Sequence, residues 1–157
     1  MPRAFISYST APEDKEPVEM LRNSLRNFGD DVFFAGDSLP AGVDFWPHII
    51  NKISEAGVFI VLATKASCAS KSVAKEIDEA LRMKKEIIPL LCGISGYELP
   101  EKIRHLHALD INDKEQLNRF LRDYGQKTNN SNAWTYFLLG AAASALAFYI
   151  FLQKNKK

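Results

Sequence analysis

The sequence has few cysteines and almost no net charge, and these two shortages limit what the protein can be. Cys68 and Cys92 are too few for a disulfide framework and have no partners at zinc-ligand spacing. A net charge of +1, from 20 basic and 19 acidic side chains, is not the concentrated basic surface that nucleic-acid binding requires. We therefore expect a reduced domain without a metal site and without a nucleic-acid partner.

Signals for export and for phosphate binding are also missing. The first residues lead directly into an apolar run, with no long hydrophobic segment and no cleavage site of the kind that follows a signal peptide. No glycine-rich phosphate loop is present, and no convincing acid cluster follows the first apolar run, as a receiver domain would need. The sequence therefore favours a cytoplasmic domain of another kind.

Short apolar runs alternate with amphipathic stretches along the chain. The amphipathic stretches predict three helices, one ending at Gly29, one beginning at Asp44 and one that carries Glu76. The apolar runs predict four strands, at residues 4–9, 32–34, 58–63 and 87–91.

The pattern continues with a fifth strand at 106–111 and a closing helix at 114–124. Strands that are continuously apolar are buried on both faces, and strands that alternate with helices form parallel sheets. We therefore predict an α/β fold with a doubly wound, flavodoxin-like parallel sheet.

A change of composition near residue 125 predicts that the folded domain, residues 1–125, ends there. Residues 126–133 read as a polar linker, and residues 134–152 contain no charged side chain. At about 1.5 Å per residue, a helix of this length reaches roughly 28 Å, close to the hydrocarbon thickness of a lipid bilayer. We predict a transmembrane helix, followed by a basic tail at 153–157.

The predicted membrane helix raises a question of topology. The basic tail favours the cytoplasmic side, yet the domain before the helix is also expected in the cytoplasm. Folded domains are not normally exported without a signal, so we predict a single-pass protein whose domain faces the cytoplasm. Gly140 and Ser144 lie on a surface of small residues, which either packs two such helices together or reflects the usual composition of membrane helices.

Glu76 is the first candidate for chemistry. It lies in the helix between two apolar strands, and ligand sites in such units lie outside the carboxyl ends of the strands. A glutamate early in a helix also interacts favourably with the helix dipole and needs no further role. Both interpretations stay open from these residues alone.

Further candidates belong to the same edge of the sheet. Tyr8 and Ser9 follow the first strand, and Trp46 lies at the second helix, where it could form a wall of a cleft. The remaining candidates end or follow the second strand: Phe34, Asp37, Ser38 and Leu39. Each also has an ordinary interpretation, as a packed side chain or as a turn residue.

Four motifs, in this order, resemble the TIR (Toll/interleukin-1 receptor) domain family in its bacterial-type form. Residues 5–8, Phe-Ile-Ser-Tyr, resemble its opening strand, and residues 37–42, Asp-Ser-Leu-Pro-Ala-Gly, resemble its BB loop. Residues 72–77 resemble the helix that carries the glutamate of TIR enzymes, and residues 87–89 resemble the strand after it. The resemblance covers residues 4–124.

For a TIR enzyme, the resemblance implies cleavage of NAD+ between nicotinamide and ribose. The essential glutamate of such enzymes maps to Glu76, whose charge would stabilise an oxocarbenium-like ribose. The nicotinamide is already cationic in NAD+, so it needs no general acid to leave. The resemblance thus implies no cofactor and no metal, NAD+ as substrate, activity on oligomerisation, and a role in immune or anti-phage defence.

The resemblance equally implies a second class of function, a non-catalytic TIR adaptor or scaffold. Such a protein binds other TIR domains at the membrane through its BB loop, here including Pro40, Ala41 and Gly42. Many TIR enzymes have a tryptophan where this chain has Ser72, which we count among the substrate-binding candidates. In TIR enzymes an acidic residue often occupies the position that is Ala35 in this chain.

Overall fold

The strands of this protein lie side by side in one parallel sheet. The structure, a computed structural model, describes residues 4–25, 32–36, 44–113, 115, 116 and 119. Within these residues the strands are β1 Ala4–Ser7, β2 Val32–Phe34, β3 Val58–Ala63, β4 Glu86–Leu91 and β5 Leu109–Asp110. All neighbours pair in parallel, in the order β2-β1-β3-β4-β5. The parallel sheet predicted from the sequence is confirmed.

Helices cover both faces of the sheet. Within the described residues they are α1 Lys15–Leu25, α2 Trp46–Glu55, α3 Lys65–Ala69 and α4 Lys71–Arg82. On one face, α1 buries Val18 and Leu21 against the strands. On the other face, α2 and α4 bury Ile53 and Ile77 in a second core. Two helix layers around a parallel sheet make the fold α/β and doubly wound, as predicted.

The segment between β3 and β4 contains two helices where the sequence predicted one. Thr64 and Ser67 cap α3 reciprocally, since the hydroxyl of each accepts a hydrogen bond from the backbone N–H of the other, at 3.0 and 2.8 Å. Ser70 is extended and ends α3, and its Oγ accepts a bond from Val73 N that caps α4. Because α4 begins after this break, Glu76 lies in its second turn.

The last strand is shorter than predicted. The sequence suggested residues 106–111, but only Leu109 and Asp110 pair with β4. A 3-10 helix at Glu101–Ile103 comes just before, and Leu106 N donates to Ile103 O at 3.0 Å. This turn uses the backbone of Leu106 and keeps it out of the sheet.

The ends of α2 and α4 at the amino edge of the sheet are joined by one side chain. Lys85, in the turn after α4, donates from Nζ to the carbonyl oxygens of Ser54 and Ala56, at 2.6 and 2.9 Å. These carbonyls lie at the last turn of α2, where a cation also interacts favourably with the helix dipole. The contact fixes the two helices to each other at this edge.

Several predicted segments lie outside the described residues. Among the residues that are described, no helix is long and apolar enough to cross a membrane. The segments outside are the BB loop with residues 37–43, most of the closing helix, the linker 126–133, the predicted membrane helix 134–152 with Gly140 and Ser144, and the tail 153–157.

Replacing Thr64 by alanine should lower the free energy of unfolding by roughly 2 kcal/mol. The hydroxyl caps α3 and also donates at 2.7 Å to Oδ2 of Asp14, which is 2% exposed. Urea unfolding of the full-length chain in non-ionic detergent measures the loss. Thr64→Ser keeps the hydroxyl and should lose less than half as much, so equal losses in the two variants would contradict this account.

Candidate functional site

A cleft of about 340 Å³ opens at the carboxyl edge of the sheet, between the first turns of α2 and α4. We call it the Glu76 cleft. Its aromatic walls are Tyr8, which follows β1, and Phe45 and Trp46, at the start of α2. Its polar lining is Thr10, Asp44, Ser70, Ser72, Lys75 and Glu76. Apolar walls with a few polar groups are typical of small-molecule sites.

Glu76 lies on the buried face of α4. Val73, Glu76, Ile77 and Ala80 are three and four residues apart and are all buried. Glu76 is only 6% exposed, whereas the apolar Leu81, near the end of the same helix, is 37% exposed. An acid therefore occupies a position of the helix that otherwise packs against the core.

The carboxyl of Glu76 has one partner deep in the sheet. Ser7, the last residue of β1 and 0% exposed, donates from Oγ to Oε2 of Glu76 at 2.5 Å. Burial raises the pKa of Glu76 from 4.5 to about 7, and the bond from Ser7 opposes that rise. Near neutral pH this group can therefore either hold a proton or carry a negative charge next to a bound molecule.

Contacts with Phe34 and Arg22 hold the Tyr8 side chain in the wall of the cleft. Its ring meets Phe34 edge-on, with ring centres 6.2 Å apart, and Arg22 Nη2 donates to its hydroxyl at 3.5 Å. Arg22 also lies over the Phe34 ring, 4.5 Å from its centre. Gly36 leaves room for this arrangement, because a Cβ there would come within 2.7 Å of Tyr8 Cζ.

The structure brings together some of the sequence-predicted site residues and separates others. Tyr8, Trp46, Ser72 and Glu76 line one cleft. Phe34 is buried behind Tyr8 and supports it. Ser9 is buried outside the cleft lining and accepts a bond from Ala11 N at 3.0 Å. The other predicted residues lie outside the described residues: Asp37, Ser38, Leu39, Pro40, Ala41 and Gly42.

Sequence reasoning missed Ser7 and Lys75. A signal for Ser7 was present, because a hydroxyl at the end of an apolar, interior strand needs a buried partner. Gly36 comes two residues after the second strand, in the stretch from Phe34 to Leu39 that the sequence placed beside the cleft. Lys75 precedes Glu76 on an exposed part of α4, and nothing in the sequence pattern distinguishes it from a solvated lysine.

Residues 4–123 match the family model described as TIR domain. The chain belongs to the TIR domain family. A similar solved structure is the TIR domain of the Toll-related receptor TRR-2 from Hydra magnipapillata, with 25% sequence identity and a TM-score of 0.65, covering 83% of this chain and 100% of that one. Another is the TIR domains of the activated Roq1 resistosome that directly recognises the pathogen effector XopQ, with 14% identity and a TM-score of 0.54, covering 94% and 96%. A comparison with curated proteins found no match.

The TIR fold explains why the motifs of the sequence lie together. The opening strand motif contains both Ser7 and Tyr8, and the motif at residues 72–77 contains Glu76. Parallel strands bring their carboxyl ends to one edge, so these two motifs meet although Ser7 and Glu76 are 69 residues apart. The family assignment predicted from the motifs is confirmed.

Replacing Glu76 by glutamine should stabilise the TIR domain at alkaline pH. The pKa of Glu76 rises from 4.5 unfolded to about 7 folded, so between these pH values the folded state holds a proton that the unfolded state has lost. The free energy of unfolding of the wild type therefore falls as pH rises through this window, by up to about 3 kcal/mol. Glutamine has no such dependence, and its amide oxygen still accepts the bond from Ser7.

Urea unfolding at pH 4, 6 and 8 tests this expectation. Glu76→Gln and wild type should be nearly equal at pH 4 and should differ most at pH 8. Asp78→Asn is the matched control, since Asp78 is an exposed carboxylate on the same helix and pairs with Lys102. A difference between Glu76→Gln and wild type that does not vary with pH would contradict the burial account.

Proposed function

We propose that this chain is a membrane-anchored, bacterial-type TIR effector that cleaves NAD+ between nicotinamide and ribose when its domains cluster. The observation that supports this most is the buried carboxyl of Glu76 in the wall of the cleft. The motif around it resembles the helix of TIR enzymes that carries their essential glutamate. Its pKa is shifted by burial to about 7, and strongly shifted pKa values are common among the reactive groups of active sites.

The reaction requires one negative charge near the ribose. As the bond from C1′ to the nicotinamide nitrogen breaks, its electron pair leaves with nicotinamide, which becomes neutral, and positive charge develops on the ribose. The ionised Glu76 carboxylate stabilises that charge, more strongly in a cleft of low polarity than in water. Water then adds to C1′ and releases a proton, which gives ADP-ribose; attack by a hydroxyl of the same molecule gives a cyclised product instead.

The cleft has the size and the lining for part of a dinucleotide. Its volume of about 340 Å³ lies in the range of roughly 300–1,000 Å³ that is usual for small-molecule sites. Trp46 and Phe45 offer flat apolar surfaces to a ring, and the hydroxyls of Thr10 and Ser72 are suited to a ribose. Lys75 offers a positive charge to a phosphate.

The proposed membrane helix accounts for control by clustering. Confinement to a bilayer raises the effective concentration of the TIR domains, which favours weak contacts between them. Gly140 and Ser144 provide a face on which two such helices could approach closely. In this proposal the TIR domain faces the cytoplasm, where NAD+ is available, and loss of NAD+ serves immune or anti-phage defence.

A non-catalytic adaptor is the second candidate. The similarity to the TIR domain of a Toll-related receptor, at 25% identity, favours it, as do Ser72 and Ala35 at positions where TIR enzymes often have tryptophan and an acid. Such an adaptor would bind another TIR domain through Pro40, Ala41 and Gly42, and Glu76 would serve no chemistry.

The full-length chain in nanodiscs should release nicotinamide from NAD+, and the rate per molecule should rise with the number of chains per disc. Glu76→Gln should lower release at least about a hundredfold at pH 8, because it removes the charge that stabilises the transition state. Asp78→Asn, on the exposed face of the same helix, should retain the wild-type rate. Nicotinamide and the ribose product are separated by chromatography. Absence of release from densely packed, folded protein would instead favour the adaptor.

Replacing Gly36 by alanine should reduce nicotinamide release while the domain stays folded. The new Cβ would overlap the Tyr8 ring, so that ring must move from its place in the cleft wall. We expect roughly a tenfold loss of kcat/KM, the scale of a small displacement at a binding site. Gly96→Ala is the matched control, because a Cβ at Gly96 meets no atom within 4 Å. Equal rates for the two variants would show that the position of Tyr8 does not matter.

A further inference from the structure

We infer that Ser7 is a positioning residue for Glu76: its hydroxyl holds Oε2 of the carboxyl at the end of β1, which turns the other oxygen toward the cleft. This inference rests on the proposed function and adds to it a second residue. Ser7 belongs to the opening strand motif, but neither that motif nor the family match indicates a role for its side chain.

Ser7 occupies a fully buried position in the sheet. β1 is flanked by β2 and β3, and Ser7 pairs with Val61 in the register between β1 and β3. The residues before it in the strand, Phe5 and Ile6, are apolar and 0% exposed. Ser7 is also 0% exposed, although its side chain is polar. A hydroxyl costs free energy at such a position unless it has a partner, so serine is a poor choice here unless its hydrogen bond is needed.

The hydrogen bond from Ser7 fixes the direction of the Glu76 side chain. Ser7 Oγ donates over 2.5 Å to a carboxyl on another element, α4, 69 residues away. Glutamate has three rotatable side-chain bonds, and a single contact to a rigid strand removes most of that freedom. Ser7 is fully buried, so the bonded oxygen faces the sheet, and the remaining oxygen is the one available to a molecule in the Glu76 cleft.

The same hydrogen bond affects the charge of Glu76. A hydroxyl that donates to a carboxylate favours its ionised form, which is the form that stabilises a cation. Among the described residues, the titratable groups that line the cleft around Glu76 are Tyr8, after β1, Asp44, before α2, and Lys75, on α4 itself. The pKa of Glu76 responds to its burial and, in the opposite direction, to the bond from Ser7. Ser7 thus sets both the orientation and the charge of the group.

A titration of Glu76 in the full-length chain tests the inference without relying on turnover. The side-chain carboxyl carbons are labelled with 13C, the Glu76 signal is assigned by its loss in Glu76→Gln, and its shift is followed against pH. In Ser7→Ala the midpoint should move up by about one pH unit, the scale of one hydrogen bond to a charged group. Ser7→Thr keeps the hydroxyl and should keep the midpoint. Ser72→Ala removes a hydroxyl from the same cleft and should also leave it unchanged.

Ser7→Cys provides a second variant in case alanine disturbs the fold, because it keeps the shape of the side chain and weakens the donor. Its midpoint should lie between those of wild type and Ser7→Ala. An unchanged titration midpoint in a folded Ser7→Ala or Ser7→Cys protein would overturn the inference, because the hydrogen bond would then have no effect on the ionisation of Glu76.

The pH profile of nicotinamide release separates orientation from charge. In Ser7→Ala the acidic limb of kcat/KM should move up with the titration midpoint, and kcat should stay roughly tenfold low even at pH 9, where about nine-tenths of Glu76 is ionised. Full recovery of kcat at pH 9 would overturn the positioning role. If wild-type protein releases no nicotinamide while the titration midpoint still moves in Ser7→Ala, the NAD+ reaction is refuted and the hold of Ser7 on Glu76 stands.

Discussion

The burial of one carboxyl group between a strand end and a helix is the constraint on which this cleft depends. Glu76 occupies a position of α4 that packs against the core, and its bond to Ser7 joins that helix to β1, an interior strand of the sheet. In a solvated position the same glutamate would keep its usual pKa and would contribute little to a neighbouring cation. Its burial thus lowers the stability of the domain whenever the carboxyl is ionised.

The walls of the cleft follow from the topology of the sheet. The carboxyl ends of β1 and β2 are adjacent, and the first turns of α2 and α4 lie at the same edge, so residues from four parts of the chain meet. Side chains behind the wall matter as much as those in it. The Tyr8 ring stays in place because Phe34 and Arg22 contact it and because Gly36 has no side chain that would overlap it.

The sequence predicted those features that depend on long runs of one residue type. β3 has the predicted bounds, Val58–Ala63, because its apolar run is long and continuous. The break between α3 and α4 was missed because it depends on single hydroxyls, those of Thr64, Ser67 and Ser70, in a stretch that also suits a loop. Tyr8 and Glu76 could be placed by their distance from strand ends, and Trp46 by its flat apolar side chain at the second helix. For Ser7 the sequence shows only a hydroxyl in an apolar strand, and its partner 69 residues away could not be identified from the sequence pattern.

The contact of Lys85 with the end of α2 has a mechanical consequence. The first turns of α2 and α4 flank the cleft. The end of α2 is bonded to Lys85, in the turn after α4, at the other edge of the sheet. The helices have 10 and 12 residues, so a small change of the angle between them at this bonded end would produce a larger change in the distance between their first turns. Lys85 thus lies at the edge of the sheet opposite the cleft, yet it contacts the end of one of the two helices whose first turns form the opening.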